Sequence, residues 1–234
     1  MTDHELTWKA APTVSAAIAT RHSIRRFLST PVSRSQVEQI LSLARRAPSG
    51  TNMQPWHVWV LAGEQKRSLS SALSAAHNEG SSSWQPEHRY YPREFEEPYQ
   101  SRRRKVGWDL YGLLSIERGQ KEKMHRQHAR NFKFFDAPIG LMVTMHRDMP
   151  YSNILDVGMY LQNVMLMARA KGLHTCPQVA FTQYHKIIRE HLSIDDDEVV
   201  LCGMTLGFAD PDAAENTMLT DREPVENHVQ FFGF

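Results

Sequence analysis

The chain has 234 residues, and its length and apolar content are those expected of one globular domain with a substantial core. A net charge of +1 gives no overall field for gripping nucleic acid, and no apolar run is long enough to cross a bilayer. The two cysteines, Cys176 and Cys202, lack the spacing of zinc ligands and are expected to be buried thiols, so we expect a cytoplasmic, reduced protein without a metal.

The first predicted element leads into a cluster of arginines. Val14, Ala17 and Ile18 share a helical face, which predicts a short helix that ends near Thr20 or Arg21. The septet RHSIRRF follows at residues 21–27 and offers guanidinium groups, a hydroxyl and turn amides, a set of donors suited to a phosphate. Taken alone, such a septet is more often a solvated, salt-bridged turn.

A helix, a polar loop and a strand are predicted next. Ser33 and Gln36 form a capping-box pattern ahead of apolar residues at helical spacing, and this helix must stop at APSGTNMQP, residues 47–55. That loop could present donors and acceptors to the edge of a flat heterocycle, with a plain turn into the strand as the alternative. Residues 56–61 predict the strand, and residues 63–76 predict a helix after it.

The rest of the chain contains an insertion and then returns to core elements. Residues 78–130, here called the cover segment, are rich in serine, aromatic and charged residues and predict an inserted, partly helical region. The core pattern resumes with strands and helices whose predicted ranges are 139–145 (strand), 154–170 (helix), 174–181 (short segment), 182–191 (helix) and 198–208 (strand). Four strands alternating with helices imply an α+β sandwich.

The last part of the chain is a tail that cannot fold on itself. Residues 209–234 are rich in turn formers, yet they keep Val229, Phe231 and Phe232. We therefore expect this tail to dock on another surface. The long helix at 154–170 is interpreted either as a dimer interface or as part of the core of its own subunit.

Several motifs together resemble the FMN-dependent nitroreductase family. They are RHSIRRF, APSGTNMQPWHVWVL about 26 residues later, FFDAPIGLMV, GMYLQNVMLMARAKGL and LTDREP. The resemblance extends over nearly the whole chain apart from the cover segment. It implies a nitroreductase-like α+β sandwich in one domain, 1–234, with a mainly antiparallel central sheet flanked by helices, and an obligate homodimer.

The resemblance also implies an FMN site assembled from separate parts of the chain. The first motif would contact the phosphate, the ribityl chain and the N1/O2 edge of the ring, the second would reach the flavin from the partner subunit, and the segment after the third strand would bring backbone amides to N5 and O4. Thr220 stands where relatives often carry a basic residue, so binding of the phosphate would depend more on Arg21 and Arg222. The implied cofactor-binding residues are Arg21, His22, Ser23, Arg25, Pro48, Ser49, Gly50, Asn52, Gln54, Lys133, Pro177, Gln178, Val179, Ala180 and Arg222, with Arg130 as a further candidate.

The aromatic residues of the cover segment are predicted to lie over the flavin. Tyr99, Trp108 and Tyr111 are the predicted substrate contacts, and a surface hairpin of helices without ligand contact is the alternative. The basic run SRRRK at residues 101–105 is interpreted as a solvated face, although it could pair with the phosphate of a nicotinamide cofactor.

The function implied by the resemblance is that of an FMN-containing enzyme. It would take hydride from NADH or NADPH and then reduce a nitroaromatic or quinone-like acceptor in a ping-pong sequence. Arg25 near the ring would raise the flavin reduction potential, and no essential acid or base is expected. Reductive dehalogenation, flavin fragmentation and flavin binding without turnover are the alternatives left open.

Overall fold

The computed structural model describes residues 7–80 and 84–234, so the serines at 81–83 of the cover segment lie outside the described residues. The centre of the molecule is a sheet of four strands: β1 (His57–Ala62), β2 (Ile139–His146), β3 (His174–Gln178) and β4 (Glu198–Gly207). Their order is β1-β2-β4-β3, and each neighbouring pair is antiparallel. The predicted antiparallel sheet is confirmed.

The helices of the described chain flank this sheet. They are α1 (Val14–Thr20), α2 (Arg34–Ala44), α3 (Gly63–Glu79), α4 (Tyr99–Leu113), α5 (Lys121–Ala129), α6 (Asn153–Ala170) and α7 (His185–Leu192). The predicted capping box begins α2, because the Ser33 side chain accepts from the Gln36 amide and the Gln36 side chain accepts in return. The helix predicted from residue 182 differs, since its first part belongs to a 3₁₀ segment, Val179–Tyr184.

The core has two layers, one on each face of the sheet. In β2, Leu141 packs with Val164 in the layer that holds α2 and α6, whereas its neighbour Met142 packs with Leu73 and Ile188 in the layer that holds α3 and α7. Both layers need apolar residues in the central strands, so β2 and β4 are buried along nearly their whole length. The result is the predicted sandwich of helices on both faces of the sheet.

One glycine fixes the segment that leaves β3. A Cβ at Gly203 in β4 would lie 2.4 Å from a ring carbon of Phe181, so only glycine lets this ring approach the strand so closely. Phe181 is fully buried and belongs to the 3₁₀ segment Val179–Tyr184. The close approach therefore holds the end of β3 and the residues after it against the sheet.

The helix α6 is buried along one face in the core of its own subunit and carries exposed apolar residues elsewhere, so its role as a dimer interface stays a prediction. Val164 and Ala168 are fully buried in their own subunit, whereas Leu155 is 73% exposed and Met159 is 39% exposed. The tail after residue 218 is exposed throughout, including Phe232 at 81%. Within the described residues, no helix is both long and apolar enough to span a membrane. The structure thus leaves apolar surface on α6 and the tail that its own chain does not cover.

Candidate functional site

A cleft of about 620 Å³ lies between the end of β3, the arginine-rich loop and the cover segment. Ser23 and Arg25 line it from the loop at residues 21–27, which we call the first loop. Residues 176–180 line it from β3 and the turn that follows, and Trp108 and Tyr111 line it from α4. Three parts of the chain that are far apart in sequence therefore meet at one concave surface.

The first loop is fixed to the sheet by backbone hydrogen bonds. Ser23 forms a parallel bridge with Thr175 of β3, and the Ile24 amide donates to the Thr175 carbonyl at 3.2 Å. At the other end of the loop, the Phe27 amide donates to the Phe135 carbonyl at 3.3 Å. The loop thus acts as a short extension of the sheet edge beside β3.

Asn216 holds the first loop from the opposite side. Its side-chain oxygen accepts from the Arg25 amide at 2.8 Å and the Arg26 amide at 3.1 Å, and its side-chain nitrogen donates to the carbonyls of Arg26 and Asp210 at 2.7 and 2.9 Å. Asn216 is fully buried. Sequence reasoning missed this residue, because an asparagine in a turn-rich tail gives no local signal of a long-range contact.

Burial affects both basic groups at the start of the loop, the Arg21 guanidinium and the His22 imidazole. His22 is buried, with Nε2 2.9 Å from the Asn216 carbonyl and Nδ1 3.1 Å from the Thr20 carbonyl, and burial lowers the pKa of its imidazole. Burial also lowers the pKa of the half-buried Arg21 guanidinium, and the nearby positive charge of Arg222 lowers it further. Because Arg21 and Arg222 are both positively charged, an anion bound near both side chains would stabilise them.

The turn after β3 contributes a polar side chain with one atom unused. Gln178 is buried, and its Nε2 donates to the Asn131 carbonyl at 2.9 Å and to Asn131 Oδ1 at 3.2 Å. Its Oε1 is buried without a hydrogen-bond partner in the described chain. A buried acceptor at the wall of a cleft is costly unless a ligand satisfies it, so this residue fits a bound group with N–H donors.

Cys176 also lines the cleft, but as a neutral thiol. Burial raises its pKa, although the positive charges of Arg25 and Arg21 act in the opposite direction. Both cysteines are free and buried, as the sequence predicted. We therefore assign Cys176 a packing role.

The second loop, residues 48–54, does not reach the cleft of its own chain. Its residues carry left-handed backbone at Thr51, Asn52 and Gln54, with φ of 48°, 61° and 49°. Ser49 Oγ accepts from the Gln54 amide at 2.9 Å, and the Gly50 amide donates to Asp156 at 3.3 Å. Pro48, Asn52 and Gln54 are exposed, so the loop presents its polar edge away from the cleft.

The other predicted cofactor residues, Arg21 and His22 of the first loop among them, do not line the cleft. Lys133 is exposed and does not line it, and Arg130 pairs with Glu215 at 2.6 Å and with Asp136 at 3.2 Å. Arg222 is exposed and donates to Thr220 Oγ1 at 2.7 Å, beside a separate cavity of about 600 Å³. Arg130 is a structural ion-pair partner here, whereas Arg222 contributes its charge near Arg21.

The aromatic residues of the cover segment divide into two groups. Trp108, Tyr111 and Tyr91 line the cleft, and contact of the first two with substrate stays a prediction. Tyr99 does not line the cleft and is 62% exposed, with the Arg102 guanidinium 5.9 Å from its ring. Trp84 packs beside Tyr184 in the core under α3 and α7. The helical geometry of α4 explains the division, because residues 108 and 111 share one face whereas residue 99 lies at its first turn.

The fold and the cleft define an α+β protein with a site for an anionic, planar ligand. A model of the nitroreductase family matches residues 18–208 of the chain. The chain therefore belongs to the nitroreductase family, as its motifs predicted. The match extends from α1 to the end of β4 and includes both loops and the turn after β3.

Individual relatives agree with this assignment over nearly the full length. A 4-nitrobenzoate reductase of Pseudomonas putida is 39% identical over 219 residues, which are 94% of this chain and 95% of the relative. A nitrobenzene nitroreductase of Ectopseudomonas oleovorans is 36% identical and covers 94% and 97% of the two chains. A crystal structure of the FMN and NADPH-dependent nitroreductase NfnB from Sphingopyxis sp. strain HMH has a TM-score of 0.92 at 36% identity, covering 95% of this chain and all of that one.

Proposed function

We propose that this protein is an FMN-containing nitroreductase that takes hydride from NADH or NADPH and reduces nitroaromatic compounds in a ping-pong sequence. The observation that carries the proposal is the cleft itself, where Ser23 and Arg25 meet the turn after β3 under the aromatic residues of α4. Relatives described as nitrobenzoate and nitrobenzene reductases, and a structure described as FMN and NADPH-dependent, support the same chemistry.

The chain's own residues would hold the cofactor by its two ends. Arg21 and Arg222 would bind the phosphate, Ser23 would donate beside it, and Gln178 Oε1 would accept a hydrogen bond from the ring. FMN, when bound, supplies the atom that accepts hydride from the nicotinamide and passes it to the second substrate. Arg25 would place a fixed positive charge beside the ring, which stabilises negative charge that develops on reduction.

The aromatic residues of α4 would position the acceptor and limit water. Trp108 and Tyr111 offer flat apolar surface for a nitroarene, and the Arg118 guanidinium lies 4.9 Å from the Trp108 ring and supports it. The first two-electron step would consume one NAD(P)H and one proton, release water and convert the nitro group to a nitroso group. Solvent can supply the proton, so the cleft needs no dedicated acid.

The active form would be a homodimer in which each cleft is completed by the other copy. The second loop is ordered by its own hydrogen bonds but turns its polar edge away from its own cleft, and α6 and the tail leave apolar side chains uncovered. These surfaces fit a second copy of the chain. Removal of residues 219–234 should then give a monomer without flavin, whereas a stable, flavin-bound dimer of that variant would contradict the arrangement. The free, buried thiols support a reducing, cytoplasmic location.

Anaerobic reduction and reoxidation test the activity directly. The FMN-loaded protein should lose its visible flavin absorption on addition of NADPH or NADH and regain it on addition of a nitroarene, with stoichiometric loss of the nitro group. A protein that binds FMN but is not bleached by either nicotinamide would be a flavin-binding protein without this turnover.

Removal of one phosphate contact tests the assigned cofactor geometry. Arg21→Ala should weaken FMN binding by about 1.5–3 kcal/mol, because it removes a charge-assisted hydrogen bond from a half-buried site. The matched control is Arg26→Ala, since Arg26 is exposed and pairs with Asp136 at 3.3 Å. Titration of apoprotein with FMN, followed by flavin fluorescence, measures both, and equal dissociation constants for the two variants would contradict the assignment of Arg21.

A further inference from the structure

The basic run of α4 is divided between two surfaces. Arg102 pairs with Glu223 at 2.7 Å, and Lys105 pairs with Asp109 at 2.6 Å and lies 3.6 Å from Asp221. Arg103 and Arg104 instead line the cleft. All five residues of the run are exposed, as expected of a solvated face. Helical spacing nevertheless turns Arg103 and Arg104 towards the cleft and Arg102 and Lys105 towards the tail.

The two cleft arginines have no acidic partner. No aspartate or glutamate lines the cleft, and within the described ranges 7–80 and 84–234 neither Arg103 nor Arg104 forms a salt bridge. With Arg25, they give the cleft three guanidinium groups and no carboxylate. A bound anion would neutralise part of this charge, and the flavin site accounts for only one of the three arginines.

Arg103 is held in place without using its hydrogen-bond donors. Its guanidinium carbon lies 4.7 Å from the centre of the Phe95 ring and 6.0 Å from that of Tyr91. A guanidinium over an aromatic face keeps its N–H groups in its own plane, where a carboxylate can accept two of them at once. Tyr91 lines the cleft too, so this arrangement fixes a planar donor group at the cleft wall.

The ring-binding surface is on the same helix as these donors. Arg104 and Trp108 are four residues apart in α4 and therefore share a face, and Tyr111 follows on the same side. An aromatic ring stacked on Trp108 or Tyr111 would lie in the same cleft as the guanidinium groups of Arg103 and Arg104. Resting on the function proposed above, we propose that Arg103 and Arg104 bind a carboxylate on the substrate, so that the enzyme selects anionic nitroarenes of the nitrobenzoate type over neutral ones.

A comparison of charged and neutral acceptors tests this selectivity. The FMN-loaded protein should show a higher kcat/KM for 4-nitrobenzoate than for 4-nitrobenzamide, which has nearly the same shape and no charge. Arg103→Gln with Arg104→Gln in one variant should reduce kcat/KM for 4-nitrobenzoate about tenfold and leave that for 4-nitrobenzamide within about twofold, since solvent-accessible ion pairs of this kind are of modest strength. The effect should shrink as salt is added.

A binding measurement and a matched variant complete the experiment. Perturbation of the flavin spectrum should give a dissociation constant for 4-nitrobenzoate that rises about tenfold in the double variant. The control is Arg126→Gln in α5, which removes a positive charge from the cover segment at a residue that pairs with Glu122 at 3.5 Å and does not line the cleft. It should match the parent protein in every measurement.

Two results would overturn the inference while the proposed function stands. One is reduction of both nitroarenes with a ratio of kcat/KM that the double variant does not change. The other is a rise in KM for NADPH but not for NADH, with unchanged selectivity, which would assign the two arginines to the phosphate of the electron donor. Failure of the parent protein to reduce either nitroarene would instead contradict the proposed function.

Discussion

The first and second loops are both rich in hydrogen-bond donors, but they are held in very different ways. Residues 21–27 are fixed by β3 on one side and by the buried amide of Asn216 on the other. Residues 48 and 50–54 are exposed, and the loop is held by local contacts such as the Ser49 hydroxyl and by links from Gly50 to Asp156 and from Met53 to Asn153. The first loop therefore belongs to the core of its own chain, whereas the second lies at the surface of the chain.

In the proposed dimeric site, this difference would separate two requirements, which are rigid binding of a phosphate and contact with a second copy of the chain. A charged phosphate is bound best by donors that do not move. Burial fixes the donors of the first loop, but it requires that the buried backbone N–H and C=O groups of the loop form hydrogen bonds within the chain. A loop that would meet a second copy must stay accessible until assembly, so it depends mainly on its own turn chemistry. We expect mutations that disturb the first loop to lower the free energy of unfolding more than mutations in the second loop do.

The largest expected effect is at Asn216. Asn216→Ala removes four side-chain hydrogen bonds at a fully buried position and leaves the Arg25 and Arg26 amides without an acceptor. We expect the free energy of unfolding to fall by about 3–5 kcal/mol. Urea unfolding measures it, with the exposed Asn227→Ala as the control. A decrease in the free energy of unfolding of less than about 1 kcal/mol would show that the hydrogen bonds of Asn216 do not hold the first loop in place.

The support of the first loop should also carry a pH dependence. His174 lies next to Thr175 in β3, with its ring 6.5 Å from that of His22, and burial lowers its pKa to about 3. Between pH 6.5 and 3 the unfolded chain binds a proton that the folded chain does not, so the free energy of unfolding falls as the pH decreases. From this group alone we expect a loss of about 3 kcal/mol by pH 4.

A neutral replacement isolates this contribution. His174→Gln cannot be protonated, and its side-chain amide can still donate to the Thr7 carbonyl that His174 Nε2 contacts at 2.8 Å. The difference in unfolding free energy between pH 7 and pH 4 should therefore be smaller in the variant. An identical difference in both proteins would mean that His174 gains a proton without cost.

The smallest expected effect is in the second loop. Gln54 has a φ of 49°, so Gln54→Gly should relieve backbone strain and raise the free energy of unfolding by about 0.5–1 kcal/mol, whereas Gln54→Ala should not raise it. Unfolding of both variants under the same conditions measures the difference. If the glycine variant were less stable than the parent by more than 1 kcal/mol, the second loop would depend on side-chain contacts much as the first loop does.

Much of the fold followed from local patterns. The capping box at Ser33 and the helical apolar spacing after it gave α2, and the apolar run at residues 139–145 gave β2 with one further residue. These predictions succeeded because caps and periodicity act within a few residues of one another. The motifs of the first loop and of the turn after β3 likewise predicted residues that line one cleft.

Other parts of the site were beyond any local pattern. Asn216 contacts a loop about 190 residues away in the sequence, and nothing near it indicates that contact. Tyr99 and Trp108 are aromatic residues of the same helix, yet of these two only Trp108 lines the cleft. In the basic run, the pairing of Arg102 with Glu223 depends on where the tail crosses α4.

The sequence by itself determined the family, the order of the helices and strands, and the chemical types of the two loops, because each of these depends on neighbouring residues or on motifs at a set spacing. Only the tertiary structure decided which arginines are paired and which face the cleft, and that Asn216 locks the first loop. Those outcomes depend on which surfaces the packed sheet brings together. Burial and charge pairing depend on which residues are close in space, and the separation of two residues along the chain does not predict how close they are in space.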